Sequence, residues 1–295
     1  MTTIINFGSC TIDRVFQVPH FVHPGETLPS TGFRIHGGGK GLNQSLAIAR
    51  AGGRVKHAGR IGPDGDWLRK LLDEAGADTS LIETGEDATG QAIIQVTPDG
   101  ENAIVICAGA NGHITSEHIR RAFSHARPGE LLLVQNEVNR LDEIIDVAQA
   151  RGLRIAFNMA PMTEDALSLP LSRVEFFVVN RTEGEALTGE QSPGAILDAM
   201  VDRFPHSRTI LTLGSEGAIY GDADSRLAQP AFKVSPVDST GAGDTFIGYF
   251  LAALANGREI WDCLEWACRA AAICVTRAGA ASSIPTREEV DQAWE

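Results

Sequence analysis

Short, continuous apolar runs alternate with stretches of helical period along most of this chain, and that alternation leaves few folds open. Ile4 to Phe7, Val55 to Gly59, Leu131 to Val134, Ile155 to Asn158, Phe176 to Val179 and Thr209 to Leu213 read as strands. Helices are expected near 43–52, 64–75, 116–127, 141–151 and 192–204. Strands that are apolar throughout need cover on both faces, and strands separated by helices run parallel. The fold class is therefore α/β. Two segments lack the rhythm: 16–34 shows no helical period, and 91–107 reads as a hairpin, Gln91 to Val96 and Ala103 to Cys107 around Pro98-Asp99-Gly100. Such pieces form either a flap over a ligand or a plain edge hairpin.

The carboxy-terminal third carries two more helices. Asp244 to Asn256 shows the stripe Phe246, Ile247, Phe250, Leu251 and Leu254, and Glu259 to Thr276 carries Trp261, Leu264, Ala267, Ala271 and Cys274. The Trp and Cys positions are expected in the core.

Charge and cysteine usage narrow the partners. A formal charge of −13, with no basic run longer than Arg120-Arg121, argues against a nucleic-acid ligand. No apolar run approaches the ~18 residues of a membrane span, and Met1 to Cys10 does not read as a secretory signal. The five cysteines are scattered without C-x-x-C spacing, as expected of reduced thiols in a cytoplasmic protein. Among the histidines, His20, His23, His113, His118 and His125 show no metal-ligand pattern.

Two glycine clusters carry the chemistry. Asp238-Ser239-Thr240-Gly241-Ala242-Gly243-Asp244 puts small residues at a helix mouth between two carboxylates, where free N–H groups and the backbone dipoles favour an anion. A plain helix entry, with Asp244 as a dipole-favourable acid worth about 0.3–1 kcal/mol, is the alternative. The dipole should lower the pKa of Asp244. That is poor for a strong general base but suits phosphoryl transfer, in which the hydroxyl needs orienting and only late deprotonation.

The second cluster, Gly37-Gly38-Gly39-Lys40-Gly41-Leu42-Asn43-Gln44, is not a Walker A loop, since Arg34 and Gly41 stand where Gly and Ser/Thr are required. No G-x-G-x-x-G follows a strand, so a dehydrogenase loses its main support. A loop that presses close to a ligand, with Lys40 and Asn43 as donors, competes with an ordinary glycine turn. Asn158, Asn180 and the turn Thr212 to Gly217 stand at strand ends, where ligands of doubly wound sheets bind.

The two clusters together resemble the signatures of the ribokinase (PfkB) family of carbohydrate and nucleoside kinases: Gly38 to Ser45, with Gly52 and Gly62 at the later spacings, and Asp238 to Asp244. Gly8-Ser9 with Asp13, Asn180-Arg181-Thr182-Glu183 and Val275 to Ala280 extend the likeness over nearly the whole chain. The resemblance implies a single three-layer α/β/α domain over 1–295, with a mainly parallel central sheet and a small β-sheet lid from about 12–36 and 90–108. It implies transfer of the γ-phosphoryl of ATP to a primary sugar hydroxyl, ribose first. Asp244 would be the catalytic base and Gly241, Ala242 and Gly243 the anion hole. Asp13, Gly39, Lys40, Asn43 and Glu137 would hold the sugar, and Asn180, Thr212, Gly214 and Gly217 the nucleotide, with Gly243. Glu183 would organise Mg²⁺ through water. Asp238, Thr240, Cys274, Arg277, Gly279 and Ser283 match positions around an activating K⁺, and lids of such proteins clasp in homodimers.

One position departs. Thr11 stands where ribokinases commonly have Asn two residues before the sugar-binding Asp, and one hydroxyl replaces two donors and an acceptor. Another pentose, a deoxy or keto sugar, or a nucleoside therefore remains open as acceptor, as does a sugar-binding regulator without turnover.

Overall fold

The structure, a computed structural model, describes residues 1–294. In chain order it comprises β1 (Thr3–Phe7), β2 (Thr11–Gln17), β3 (Gly32–Gly38), α1 (Lys40–Arg50), β4 (Arg54–Ile61), α2 (Asp66–Glu74), β5 (Asp78–Thr84), β6 (Gly90–Val96), β7 (Asn102–Cys107), α3 (Ser116–Ala122), β8 (Leu131–Gln135) and α4 (Leu141–Ala150). There follow β9 (Arg154–Asn158), β10 (Phe176–Asn180), α5 (Arg181–Thr188), α6 (Pro193–Arg203), β11 (Arg208–Thr212), β12 (Ala218–Gly221), β13 (Arg226–Gln229), α7 (Ala242–Ala255), α8 (Ile260–Cys274) and α9 (Arg287–Gln292).

Nine strands form one sheet in the order β13-β12-β11-β10-β9-β8-β1-β4-β5, parallel from β11 to β5, with β12 and β13 added antiparallel at one edge. The apolar runs are the buried strands: every residue of β8 is buried, because helices cover both faces. One hydrophobic cluster joins α1, α7 and α8 to one face, and a second joins α3, α4, α5 and α6 to the other. No helix among the described residues is long and apolar enough to cross a membrane.

The segments without helical period make a separate four-stranded sheet, β3-β2-β6-β7. The expected hairpin is β6 and β7, paired antiparallel from Gln91–Cys107 to Val96–Asn102. The stretch without helical period, which the resemblance assigns to the lid, supplies two strands, β2 and β3, which pair with each other from Thr11–Gly38 to Gln17–Gly32. They are half-exposed and carry polar residues within them, which hides strand character from a search for apolar runs.

Other expectations shift at their edges. Helix α1 begins at Lys40, three residues early, and α3 stops at Ala122 because the chain tightens into i→i+3 turns through Ser124 and Ala126. Helix α5 was not expected, being short and set by an Asn180–Glu183 capping box rather than by apolar period. Trp261, expected in the core, is exposed: α8 begins at Ile260, leaving Trp261 in its first turn while Cys263, Leu264, Trp266 and Ala267 form the buried stripe.

Candidate active site

Strand β1 has β4 on one side and β8 on the other, so successive crossovers leave it in opposite directions and open a crevice beyond the carboxyl ends of β1 and β8. Ser9 follows β1 and Glu137 follows β8, and Ser9 Oγ donates to Glu137 Oε2 at 2.5 Å. The same oxygen accepts the backbone N–H of Lys40 at 2.8 Å, at the start of α1. Gly39 caps that helix at φ +89°, a left-handed conformation; a Cβ there would meet the hydroxyls of Ser9 and Thr11 at 2.9 Å.

Helices α1 and α7 cross closely, since a Cβ on Gly248 would fall 2.3 Å from the Ala47 methyl. The crossing brings the first turn of each helix to the other: Asn43 Nδ2 donates to Asp244 Oδ2 at 3.0 Å and Gln44 Nε2 to Asp244 Oδ1 at 2.9 Å. Gly241 caps α7 at φ +78° with no side-chain cap, leaving first-turn amides for a ligand, and a Cβ on Gly243 would meet nothing within 4 Å.

The electrostatics correct one expectation. The helix dipole should lower the pKa of Asp244, yet it is raised: burial outweighs the Lys40 ammonium and the Gln44 and Asn43 hydrogen bonds, which pull it down. Burial likewise raises Glu183. For Lys40, burial acts downward, but the carboxylates of Asp244, Glu137 and Glu183 overcome it and raise its pKa, so the ammonium stays charged. Burial, then Glu137 and Asp244, push Asp13 up to about 7.

That shift ties folding to pH. An aspartate held near 7 in the fold and near 4 when unfolded binds more protons folded, so it costs stability as pH rises from about 4 through about 7. Asp13→Asn removes this cost, so its urea midpoint in sugar-free buffer should gain on that of the parent between pH 5 and pH 8. A constant difference would contradict the assignment.

A cavity of about 170 Å³ gathers Lys40, Asn180, Glu183, Thr212, Gly241, Gly243 and Asp244 from four separate stretches of chain. Asp13, Gly39, Asn43 and Glu137 lie on the β1/β8 side of Lys40 and Asp244, linked to them by the hydrogen bonds and charge contacts above. Gly214 and Gly217 are outside the cavity wall. Gly217, at φ +106°, packs against the backbone of Gln229 to Ala231, which is reason enough for glycine there. A larger hollow of about 430 Å³, lined by residues of α8 with Asp291 of α9, contains none of the expected residues; its charges pair locally, as in Arg269–Glu265 at 2.8 Å.

Around the α7 mouth, Asp238 accepts from Thr240 N–H (2.9 Å) and Gly279 N–H (2.8 Å), while Cys274 Sγ lies 3.1 Å from Ser283 Oγ and 3.9 Å from Thr240 O. Arg277 points its guanidinium to Glu289 at 2.6 Å, leaving only its backbone for this cluster. Sequence reasoning missed Ser9 and Gln44 as site residues. Gln44 sits beside Asn43 in the quoted cluster, but nothing in its spacing announces a partner 200 residues away. The histidine expectation also changes. The loop after β2 folds Glu26 back so that its carboxylate meets His20 Nε2 (2.9 Å) and His23 Nδ1 (3.2 Å), the one grouping among the described residues close enough to share a metal. All three are exposed.

Comparison with known proteins shows the family. Residues 1–287 match the pfkB family carbohydrate kinase model. A ribokinase of Haemophilus influenzae is 36% identical over 97% of this chain and 96% of its own length, and a deoxyribokinase of Salmonella typhi 31% identical over 97% and 96%. The crystal structure of ribokinase from Cryptococcus neoformans var. grubii serotype A in complex with ADP superposes with a TM-score of 0.87 at 34% identity, covering 99% of each chain. The chain belongs to the pfkB family of carbohydrate kinases and is an ATP-dependent sugar kinase.

Proposed function

We propose that this kinase phosphorylates the primary hydroxyl of ribose, forming ribose 5-phosphate. The observation that carries this is the meeting of Asp13, Glu137 and Asp244 around Lys40 at the switch point, with the open amides of α7 beside them. Asp13, Glu137, Lys40 and Asn43 supply acceptors and donors matched to a polyol, and Gly39 lets its backbone approach. Asp244, fixed by Asn43 and Gln44, aims the hydroxyl and takes its proton as the bond to phosphorus forms. The N–H groups of Gly241, Ala242 and Gly243 receive the charge of the moving phosphoryl group. Asn180 and Thr212 stand where the nucleotide enters, with Gly214 and Gly217 shaping the turn beyond.

Glu183 fits a Mg²⁺ held through water. One of its oxygens is tied to the Asn180 N–H at 2.9 Å, and the residue lines the cavity as an oxygen donor, the chemistry this hard cation prefers. The ion would neutralise charge on the triphosphate. The donor set Asp238, Thr240, Gly279 and Ser283, with the carbonyls of Cys274 and Arg277, fits K⁺ in the same way, being rich in oxygen. Turnover in potassium salts should exceed turnover in tetramethylammonium salts at equal ionic strength; equal rates would remove K⁺ from the reading.

The small sheet acts as a lid over the sugar. It leaves Phe33, Ile35 and Val105 exposed on one face and Ile104 and Ile106 on the face that carries Asp13, and in this reading a second copy of the chain covers exposed apolar residues of the lid. A specific observation favours deoxyribose as the second reading: Thr11, with its single hydroxyl, lies against Gly39 at the sugar side of the site. ADP release measured over ribose, 2-deoxyribose, ketoses and nucleosides tests the proposal. Ribose should show the highest kcat/KM; sugar binding without ADP release at saturating Mg²⁺ and K⁺ would show a binding protein instead.

A further inference from the structure

We infer that Gln44 and Gln135 are positioning residues for Asp244, the middle links of a buried amide chain whose direction is set by backbone carbonyls at its two ends. Asn6 Nδ2 donates to the carbonyl of Gly41 at 2.7 Å and to Ser45 Oγ at 2.8 Å. A carbonyl oxygen only accepts, so the amide nitrogen of Asn6 must face it and its Oδ1 must face the other way. There Oδ1 accepts from Gln135 Nε2 at 2.9 Å, and the same nitrogen donates to Gln44 Oε1 at 2.7 Å. With its oxygen so engaged, Gln44 can present only its nitrogen to Asp244 Oδ1 and, at 3.0 Å, to Asn158 Oδ1. Asn158 closes the chain by donating Nδ2 to the carbonyl of Val178 at 3.1 Å.

Between those two carbonyls no amide can flip without setting oxygen against oxygen or nitrogen against nitrogen. Asn6, Gln44 and Gln135 are wholly buried, so water cannot repair a flip. The chain even leaves Gln135 Oε1 without a partner, the position of its amide being dictated by the two donations from Nε2. At the far end Ser45 Oγ and His57 Nδ1 share a hydrogen bond at 2.8 Å, and burial holds His57 down at about 4, so no charge enters the chain from that side. The charged groups facing Asp244 are Lys40 from α1, Glu137 after β8, Glu183 from α5 and Asp13 from β2. None of them contacts Gln135 by hydrogen bond.

The consequence for turnover rests on the kinase reading of Asp244; the orientation of the carboxylate does not. Gln135→Met touches neither Asp244 nor a predicted substrate contact, but it leaves the Gln44 oxygen without its donor, so the Gln44 amide is held only from its Asp244 and Asn158 side. We expect kcat to fall by about tenfold or more with the sugar KM little changed. Loss of a donor destabilises the charged carboxylate, so the acid limb of kcat/KM should move to higher pH. In aspartate-labelled protein the ¹³C carboxyl titration of Asp244, assigned with Asp244→Asn, should move up in Gln135→Met. Gln44→Met, which keeps the side chain's length but removes its donors without adding a charge, should move it further, and it serves if Gln135→Met fails to fold. An unmoved Asp244 titration in a folded variant overturns the inference, as does a kcat loss that is the same at every pH. A parent protein inactive on every acceptor would sink the kinase reading alone, because the carboxyl titration still reports the amide chain.

Discussion

Asp244→Asn is expected to lower kcat by about 10² to 10⁴-fold, the range for a positioned proton acceptor, while the binding of sugar and ATP changes far less. The substitution keeps the volume of the side chain and the entry to α7, so the open amides at Gly241 to Gly243 survive. What it removes is the charge and one acceptor: Asn43 and Gln44 donate to both carboxylate oxygens, and an amide can accept on only one side. Burial already raises the carboxyl's pKa, so the loss should grow as pH rises and the parent carboxylate ionises. Steady-state ADP release with separate titrations of sugar and ATP checks this. Turnover within a few-fold of the parent would remove Asp244 from the reaction.

Gly38→Ala is expected to reduce kcat/KM for the sugar by about 10²-fold without a comparable change for ATP. A Cβ at residue 38 would fall 2.0 Å from Asp13 Oδ2, and strand pairing with Thr11 holds the Gly38 backbone in place, so the carboxylate must move. A hydrogen bond to a charged group is worth about 1.5–3 kcal/mol, and a displaced carboxylate loses at least one to the sugar. Asp13→Ala should cost about the same. If the glycine acts through Asp13, the double variant is little worse than either single one. Additive losses would mean that Gly38 matters for a reason other than Asp13.

The same residues show why some of the site was legible and some was not. Gly241 to Asp244 and Gly38 to Asn43 are local signals: small residues at a helix mouth, readable because backbone access depends on the absence of a side chain at that position. Glu183 and Asn180 are three apart and form a capping box, another short-range pattern. Ser9 to Glu137 and Gln44 to Gln135 span the chain, and no local periodicity encodes which polar side chains will face each other. The sign of the Asp244 shift fails for the same reason. Sequence shows the helix end, whereas the number of atoms packed around the carboxylate is a property of the folded site.

The order of apolar runs and helices determined, without coordinates, a parallel sheet sandwiched between helices, because a strand greasy on both sides has no other stable environment. It also marked the two backbone-lined helix entries. Only the tertiary structure decided how β2 and β3 pair within the second sheet, that α1 and α7 cross closely enough to share Asp244, and that burial raises the pKa of that carboxyl. Each of these depends on which distant surfaces exclude water from one another, and that is settled when the chain packs, not along it.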